Sequence, residues 1–398
     1  MAWVVVAVLL DRVLRIAHHV ATGWGGATSA VTGWFDPLGG RIAWDAGLYL
    51  RVAEVGYRPE EGLVAGFPGY ALAIRAVATT GVGLQTAAVL VAAGSGLAAT
   101  LLFWRWMLDR GLDVRTRRTA LALFLTFPYA FVLAGVAYSD PLFVALVLGT
   151  VVLAESGRWI TAGLVAGAAT GTRAMGLALV AYLVVLALDR SGGLVVPSAT
   201  PATGLRDRCR VGWSTLTGVR CSLRGLRPAH VGVVLSVWGI AAYSVHLWRL
   251  TGDPVAFWSS QVSGGYGHGG ALDPRTWVKA SFIRAPGLEI HSFADVLNEL
   301  AATATFVLVV VTAPRVGRRF GWATTVLMWT SAVMVWVFCR WMAPAGRYLL
   351  PVLPFVWAWL AAGPLAVRPR ARIALPVVFL VGSVVLATGF AGVFDLHW

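Results

Sequence analysis

One carboxylate, Asp45, is the first candidate for chemistry in this sequence. It follows Trp44 and precedes a run of small and aromatic residues, in a chain of 398 residues with only 18 acids. A positioned carboxylate can act as a general base that takes the proton from a hydroxyl group. The same aspartate also precedes a helical-looking segment at 46–53, where it would be a good helix N-cap. The sequence alone leaves both interpretations open.

Aromatic side chains follow Asp45 closely, at Tyr49, Tyr57, Phe67 and Tyr70. Aromatic rings suit the apolar CH faces of sugars, but Trp and Tyr also anchor proteins at the bilayer interface. A large loop rich in Arg, Trp and Tyr can also lie flat on a membrane without a catalytic role. The patch is therefore a candidate sugar site with a structural alternative.

Two further candidates lie between apolar segments. Tyr138 and Asp140 belong to a Tyr-Ser-Asp-Pro run, which favours a structural turn capped by Ser139 or Asp140 over a functional carboxylate. Arg173 sits between two short apolar segments. An arginine beside a membrane span is costly enough to suggest phosphate binding, with snorkelling to the interface as the alternative.

The second half of the chain adds two more patches. Asp253 precedes a proline and is typical of a helix start, while Gln261 and His268 could hydrogen-bond an acceptor. A lone histidine in a loop is usually just solvated. Later, the Arg-Tyr pair at 347–348, together with Arg340, suits a phosphate clamp or simply a helix start with interfacial anchors.

The composition is that of a polytopic membrane protein. Hydrophobic residues make up 58% of the chain and charged residues 13%, with a mean hydropathy of +0.75. The net charge of +14 lies in short loops between apolar spans, which disfavours nucleic-acid binding. The three cysteines lack CxxC spacing, so neither a disulfide framework nor a zinc site is indicated. No Walker, HExxH or Gly-x-Ser-x-Gly motif is present, and nothing resembles a Rossmann fingerprint between a strand and a helix.

Apolar runs predict an all-α bundle of about 11 transmembrane helices in a single domain, 1–398. A β-barrel is disfavoured because apolar residues come in blocks and do not alternate. The predicted spans are 2–20, 85–107, 119–137, 138–154, 159–171, 174–189, 229–249, 295–313, 321–338, 348–366 and 373–392.

Three long loops and the orientation follow from the same pattern. They are a first external loop at 21–84, a basic cytoplasmic loop at 190–228 and a second external loop at 250–292. A cytoplasmic N-terminus places 18 of the 32 Lys and Arg residues inside and 11 outside, as the positive-inside rule favours. Both external loops then share one face with Asp45. Asp11 and Arg15, at i,i+4 in the first span, are expected to pair.

Six motifs taken in order resemble the PIG-V-like mannosyltransferases, a GT-C family. They are WDAGLYLRVAEVGY, FPGY, YSDPLF, TRAMGLAL, GDPVAFWSSQ and RYLLPVLP. The resemblance implies a GT-C bundle, a polyprenyl- or dolichyl-phosphate sugar donor and a catalytic acid in the first external loop, which is Asp45 here. FPGY departs from the family's FPLYP-like run, and the 190–228 loop matches no recognised motif.

The sequence and the resemblance together predict an inverting mannosyltransferase at the outer face of the plasma membrane. Mannose would move from polyprenyl-phosphate-mannose to a hydroxyl of a membrane glycolipid or glycan, with Asp45 as base and Arg173, Arg347 and Arg340 on the phosphate. The predicted substrate-binding residues are Trp44, Tyr49, Tyr57, Phe67, Tyr70, Tyr138, Asp140, Asp253, Gln261, His268 and Tyr348.

No cofactor and no metal ligands are predicted, and a divalent cation is allowed but not required. The expected partners are the lipid-linked donor, the acceptor and membrane lipids, with no nucleic acid. A transporter or flippase of lipid-linked sugars is the alternative, because such a pocket can bind a lipid phosphate without chemistry. The apparent lack of repeats counts against it. A scaffold in an envelope complex is a third hypothesis.

Overall fold

A computed structural model describes residues 2–21, 38–195, 220–223, 225, 227–263, 293–339 and 342–391, and these are mostly helical. The α-helices are α1 (Ala2–Ala21), α2 (Ala46–Val55), α3 (Pro68–Ala78), α4 (Leu84–Asp109), α5 (Val114–Thr126), α6 (Asp140–Glu155), α7 (Trp159–Thr172), α8 (Leu177–Arg190), α9 (Gly232–Leu235), α10 (Trp238–Thr251), α11 (Ala256–Ser263), α12 (Phe293–Phe320), α13 (Trp322–Phe338), α14 (Ala345–Tyr348), α15 (Leu353–Ala362) and α16 (Pro369–Phe390).

Shorter elements connect these helices. The 3-10 turns span Pro59–Glu61, Leu63–Ala65, Pro128–Ala134, Ala174–Gly176 and Pro228–Val231. Two strands, β1 (Leu194–Val195) and β2 (Arg220–Cys221), pair antiparallel with Leu194 opposite Cys221. This ribbon was not predicted, since strands of two residues are too short to leave a periodic pattern. Most of the predicted 190–228 and 250–292 loops lies outside the described residues.

The protein has several apolar helices long enough to cross a membrane, as expected for a membrane protein. By length and composition these are α4, α12 from Val296 onward, and α16, and two bent helix pairs raise the count to five. The predicted count of about 11 is not confirmed. Three of the predicted spans, α6 to α8, are helices of only 14 to 16 residues, whereas a straight crossing takes about 20.

Prolines break two of the predicted spans. The 119–137 segment forms α5 and then a 3-10 turn at an angle of 86°. Pro128 explains the break because it has no N–H and forces Phe127 out of the helical region, to ψ 140°. The 348–366 segment likewise contains a break, between the end of α14 at Tyr348 and the start of α15 at Leu353, and Pro351 lies in this break. The second break directly follows Arg347 and Tyr348.

The bundle core forms around α6, which packs between α4 and α7, while α13 packs against α8 and α12. Helix α7 approaches α9 and α10 through glycines. A Cβ on Gly163 would run into the Gly232 carbonyl, and one on Gly239 into the Gly167 carbonyl. Small residues at these positions allow the close backbone approach that is typical of membrane helix pairs. This contact helps to fix the end of α7, where Arg173 follows.

The described part of the first predicted external loop folds into a layer over α4. Helices α2 and α3 pack on each other and on α4, around a buried cluster that includes Tyr70 and Ile74. The predicted pair of Asp11 and Arg15 is confirmed, with Arg15 Nε 2.9 Å from Asp11 Oδ1. Arg41 pairs with the same carboxylate. The segment leading to Asp45 is therefore tied to α1.

Candidate active site

The backbone at Trp44 is strained. Its φ of 53° makes it the one non-glycine residue with a left-handed backbone among the residues described, and this conformation is a clear outlier for a bulky side chain. The indole N–H donates to the carbonyl of Phe390 at 3.2 Å. The next amide, on Asp45, donates to the hydroxyl of Tyr138 at 3.1 Å. Two distant parts of the chain thus hold the Trp44-Asp45 step.

The carboxylate of Asp45 does not cap helix α2. Asp45 occupies the N-cap position but has helical backbone angles and makes no side-chain cap hydrogen bond. The capping interpretation is therefore wrong for this side chain. Instead the carboxylate is 45% exposed, and its Oδ2 lies 3.8 Å from Nη2 of Arg347. The arrangement leaves Asp45 available to a molecule in the cavity.

Two arginines converge behind Asp45 on a second, buried carboxylate. Asp140 begins helix α6 and is 2% exposed. It pairs closely with Arg173, and its Oδ2 lies 3.9 Å from Nη1 of Arg347. The helix start predicted from the Ser-Asp-Pro run is confirmed, whereas the predicted side-chain cap bond of Ser139 is absent. Asp45, Asp140, Arg173 and Arg347 are called the cavity cluster below.

Aromatic rings hold the two guanidinium groups in place. Arg347 lies over Tyr138, 4.7 Å from the ring centroid, and Arg173 lies over Tyr348 at 4.6 Å. Burial disfavours the charged form of both arginines, but the Asp140 carboxylate together with other neighbouring groups more than offsets it, so the pKa of each lies above its usual value. Arg173 is buried by the protein and does not snorkel, contrary to the alternative considered from sequence.

The cavity cluster is incompletely hydrogen-bonded. Within the described residues, Asp140 Oδ2 and Arg347 Nη1 are buried and have no hydrogen-bond partner. Buried polar atoms of this kind are rare and often mark a functional site. Arg347 faces both carboxylates at nearly 4 Å, too far for a hydrogen bond to either. Its donors therefore suit an additional anion.

Tyr49 is a poor alternative to Asp45 as a base. Its hydroxyl lies 2.9 Å from the hydroxyl of Ser139, and burial raises the pKa of Tyr49 to about 12. The phenol is thus neutral near pH 7, and it can donate or accept a hydrogen bond but not take a proton. Among the cavity groups, Asp45 is the exposed carboxylate.

A cavity of about 610 Å³ opens beside the cavity cluster, within the size range of small-molecule sites. One side is polar and holds Asp45, Arg173 and Arg347. The remaining walls are mainly apolar and come from distant helices. The apolar lining residues that the sequence did not single out include Leu48, Met175, Ile240, Phe257, Trp258, Met334 and Phe338. Leu48, Met175, Phe257 and Trp258 lie within the motifs quoted above, whereas no motif contains the other three, and a chain with 58% hydrophobic residues gives no other signal for them.

Most of the predicted site residues line this cavity. Gln261 does so from α11, and its amide also donates to the Ala65 carbonyl at 2.8 Å, while Trp258 of the same helix packs on Phe338. Helix α11 thereby closes one side. The predicted residues that line the cavity are Trp44, Asp45, Tyr49, Phe67, Arg173, Gln261, Arg347 and Tyr348.

Other predicted residues support the site from outside the cavity. Tyr57 donates to the Gly66 carbonyl at 2.7 Å and stacks near Tyr243, and Tyr70 donates to the Ala88 carbonyl at 2.8 Å. Both hold the loop and do not face the cavity. Tyr138 and Asp140 touch the cavity cluster from behind, as described above.

Asp253 has the structural role that its sequence predicts. Its Oδ1 accepts from the amide of Val255 at 2.9 Å, just before α11 begins. It does not line the cavity. His268 and Arg340 lie outside the described residues.

Comparison with known proteins finds one family whose model matches part of the chain. The model of the family described as Mannosyltransferase (PIG-V) matches residues 27–191. The resemblance to the PIG-V mannosyltransferases is confirmed. This match and the apolar helices support a membrane glycosyltransferase. The matched region contains Asp45, Asp140 and Arg173 and ends before Arg347.

Other comparisons add less. A crystal structure of the Archaeoglobus fulgidus oligosaccharyltransferase, tethered with an acceptor peptide containing the NVT sequon, aligns with a TM-score of 0.48 and 13% sequence identity. The alignment covers 98% of this chain and 55% of that one, so the chain spans about half its length. No curated protein matches. The GT-C type of bundle stays a prediction.

Proposed function

We propose that the protein transfers mannose from a polyprenyl-phosphate-mannose to a hydroxyl of a membrane-associated glycolipid or glycan, with inversion at the anomeric carbon. The observation that carries this proposal is the half-exposed Asp45 carboxylate, 3.8 Å from the buried Arg347 guanidinium at the wall of one cavity. A base and a phosphate-binding cation thereby line the same cavity, as glycosyl transfer from a sugar phosphate requires.

The proposed step needs one base and one anion site. The acceptor oxygen attacks the anomeric carbon and forms the new glycosidic bond while the bond from that carbon to the phosphate oxygen breaks. The bonding electrons leave with the phosphate, and Asp45 takes the proton of the hydroxyl. The guanidinium groups of Arg173 and Arg347 stabilise the charge that grows on the leaving phosphate. A base worth about 10²–10⁴ in rate is expected at Asp45.

The walls of the cavity suit a lipid-linked donor. The polar side holds the two arginines, while Met175, Ile240 and Met334 contribute to the apolar remainder. A polyprenyl phosphate is an anion attached to an apolar chain, so it matches both kinds of wall. Exposed Trp44 beside the base is a surface on which the apolar face of a sugar ring can stack.

The same proposal covers the need for a cofactor and the face of the membrane on which the active site lies. The two arginines supply positive charge at the phosphate, so we propose that no cofactor is used and that a divalent cation is not required. The positive-inside pattern favours a plasma-membrane protein with a cytoplasmic N-terminus and an extracytoplasmic active site. The partners are then the lipid-linked donor, its acceptor and membrane lipids.

The decisive experiment incubates the purified protein with radiolabelled polyprenyl-phosphate-mannose and a membrane lipid extract. We expect a labelled product whose anomeric configuration is opposite to that of the donor. Asp45→Asn should abolish product formation and keep binding of the labelled donor. Product formed at the wild-type rate by Asp45→Asn would remove the base assignment. Label that crosses vesicle bilayers unchanged, with no product, would favour the flippase hypothesis.

A further inference from the structure

We infer that Asp140 is a positioning residue whose charge makes the cavity prefer a phosphodiester monoanion over a phosphomonoester dianion. The inference rests on the proposed function, in which a lipid phosphodiester enters and a lipid phosphomonoester must leave. It assigns to Asp140 a part in product release, in place of the substrate contact that the sequence predicted.

Asp140 lies behind the two arginines that line the cavity. It is 2% exposed and does not line the cavity, whereas Arg173 and Arg347 both do. One oxygen pairs with Arg173, from the α7–α8 junction, and the other faces Arg347, from α14. Asp140 therefore holds two cations from behind without reaching a bound molecule.

The two arginines lie close to each other. Their guanidinium groups lie 4.6 Å and 5.5 Å from the centroid of the same Tyr348 ring. Two buried cations this close repel each other strongly in a medium of low dielectric. Asp140 offsets that repulsion in the empty site. Replacing it removes one negative charge from behind the two arginines.

The formal charges of the cavity cluster sum to zero. The positive charges of Arg173 and Arg347 are matched by the negative charges of Asp140 and Asp45, and the neighbouring Tyr49, Tyr138 and Tyr348 are phenols. Because Asp140 weakens the attraction of the two arginines, a second ligand charge is favoured less than it would be by the arginines alone, and a dianion costs more to desolvate. A lipid phosphodiester carries one charge, and a phosphomonoester carries about 1.5 to 2 at pH 7. The leaving product is therefore disfavoured relative to the donor.

The incomplete hydrogen bonding agrees with this division of roles. Arg347 Nη1 and Asp140 Oδ2 lack partners within the described residues and lie 3.9 Å apart. At this distance the two groups attract each other electrostatically but form no hydrogen bond, so Asp140 does not occupy the N–H donors of Arg347. A phosphate can then bind Arg347 without first breaking a hydrogen bond to Asp140.

The test compares two soluble probes, a short-chain prenyl monophosphate and its methyl diester, by binding to the intact purified protein. Removing one negative charge affects a dianion about twice as much as a monoanion. Asp140→Asn should therefore shift the monoester-to-diester affinity ratio toward the monoester by at least about tenfold. Asp109→Asn is the matched control, because Asp109 pairs with Arg105 on an exposed part of α4. It should leave the ratio unchanged.

A second measurement uses the wild-type protein and does not depend on the folding of a variant. The monoester loses its second charge near pH 6, whereas the diester does not titrate there. We expect the wild-type affinity ratio to move toward the monoester as pH falls from about 8 to about 5.

The outcomes separate the two proposals. Binding of neither probe to the wild type would contradict the proposed donor site itself. Binding of both, with a ratio that is insensitive to Asp140→Asn and to pH, would overturn the role of Asp140. An equal loss of affinity for both probes would also overturn it, because that result indicates a structural role alone.

Discussion

Two ion clusters at opposite ends of helix α6 differ in how completely they are hydrogen-bonded. Asp140 begins the helix and belongs to the cavity cluster, whereas Glu155 ends it roughly 23 Å away. Glu155 accepts from both Arg110 and Trp106 and from the hydroxyl of Tyr182. Arg190 donates to the Glu155 and Ala154 carbonyls. Trp106, Arg110, Glu155, Tyr182 and Arg190 form the distal cluster.

The difference separates a binding site from a structural contact. In the distal cluster each carboxylate oxygen has a partner, and the network joins α4, α6 and α8. In the cavity cluster two buried polar atoms lack hydrogen bonds within the described part of the chain. A buried charge retained without full satisfaction weakens the fold, so it is best explained by a ligand that completes it. Activity should thus depend on one end of α6 and stability on the other.

The largest expected effect is that of Asp45→Asn on activity. Because the Asp45 carboxylate is half-exposed and does not cap α2, the variant should melt at the wild-type temperature. Its rate of mannose transfer should fall by about 10²–10⁴-fold. Initial rates with labelled donor and thermal unfolding in the same detergent measure the two quantities. A large loss of stability would show that Asp45 stabilises the fold. The cavity cluster and the distal cluster would then not differ as proposed.

Glu155→Ala should show the opposite behaviour. Its removal leaves Arg110 and the Tyr182 hydroxyl without their acceptor, and breaking such a partly buried pair costs about 3 kcal/mol. The melting temperature should fall clearly, while the transfer rate per folded molecule stays near that of the wild type. A rate loss at unchanged stability would contradict the structural role of the distal cluster.

The sequence located the candidate base better than its surroundings. Asp45 and Arg173 could be picked out because a charged residue near an apolar span is unusual and costly. The same kind of argument favoured a structural turn at Asp140, since a Ser-Asp-Pro run is also a good helix start. Its pairing with Arg347 crosses more than 200 positions, and no local pattern reports such a contact.

The fold was predictable to a similar extent. Long apolar runs such as α4 and α16 appeared close to their predicted bounds. The break at Pro128 could have been predicted from the chemistry of proline, whereas the strain at Trp44 could not. A left-handed tryptophan is disfavoured locally and persists because contacts from Phe390 and Tyr138 hold it.

Strain at Trp44 gives a smaller, measurable difference between two variants. Trp44→Ala and Trp44→Gly both remove the indole and its bond to Phe390. Only glycine adopts a φ near 53° without a steric penalty. We therefore expect Trp44→Gly to be more stable than Trp44→Ala by about 1 kcal/mol, measured by thermal unfolding. Equal stability, or a more stable alanine variant, would show that the backbone at Trp44 is not strained.

The smallest effect is expected at Asp113, near the distal cluster. Its carboxylate accepts from the hydroxyl of Thr116 and from the amides of Thr116 and Arg115, capping α5. These bonds, the hydroxyl first, lower the pKa of Asp113.

A lowered carboxyl pKa means that the charged form is favoured in the folded state. The contribution is therefore complete above the unfolded-state pKa and is lost as pH falls through the folded-state value. Asp113→Asn should lower the melting temperature slightly at neutral pH, with a cap loss of about 1 kcal/mol at most, and the gap should close in acid. The transfer rate should not change, because Asp113 lies at the end of the bundle that the comparison assigns to stability. A gap that persists at the lowest pH would mean that hydrogen-bond geometry, and not charge, makes this cap effective.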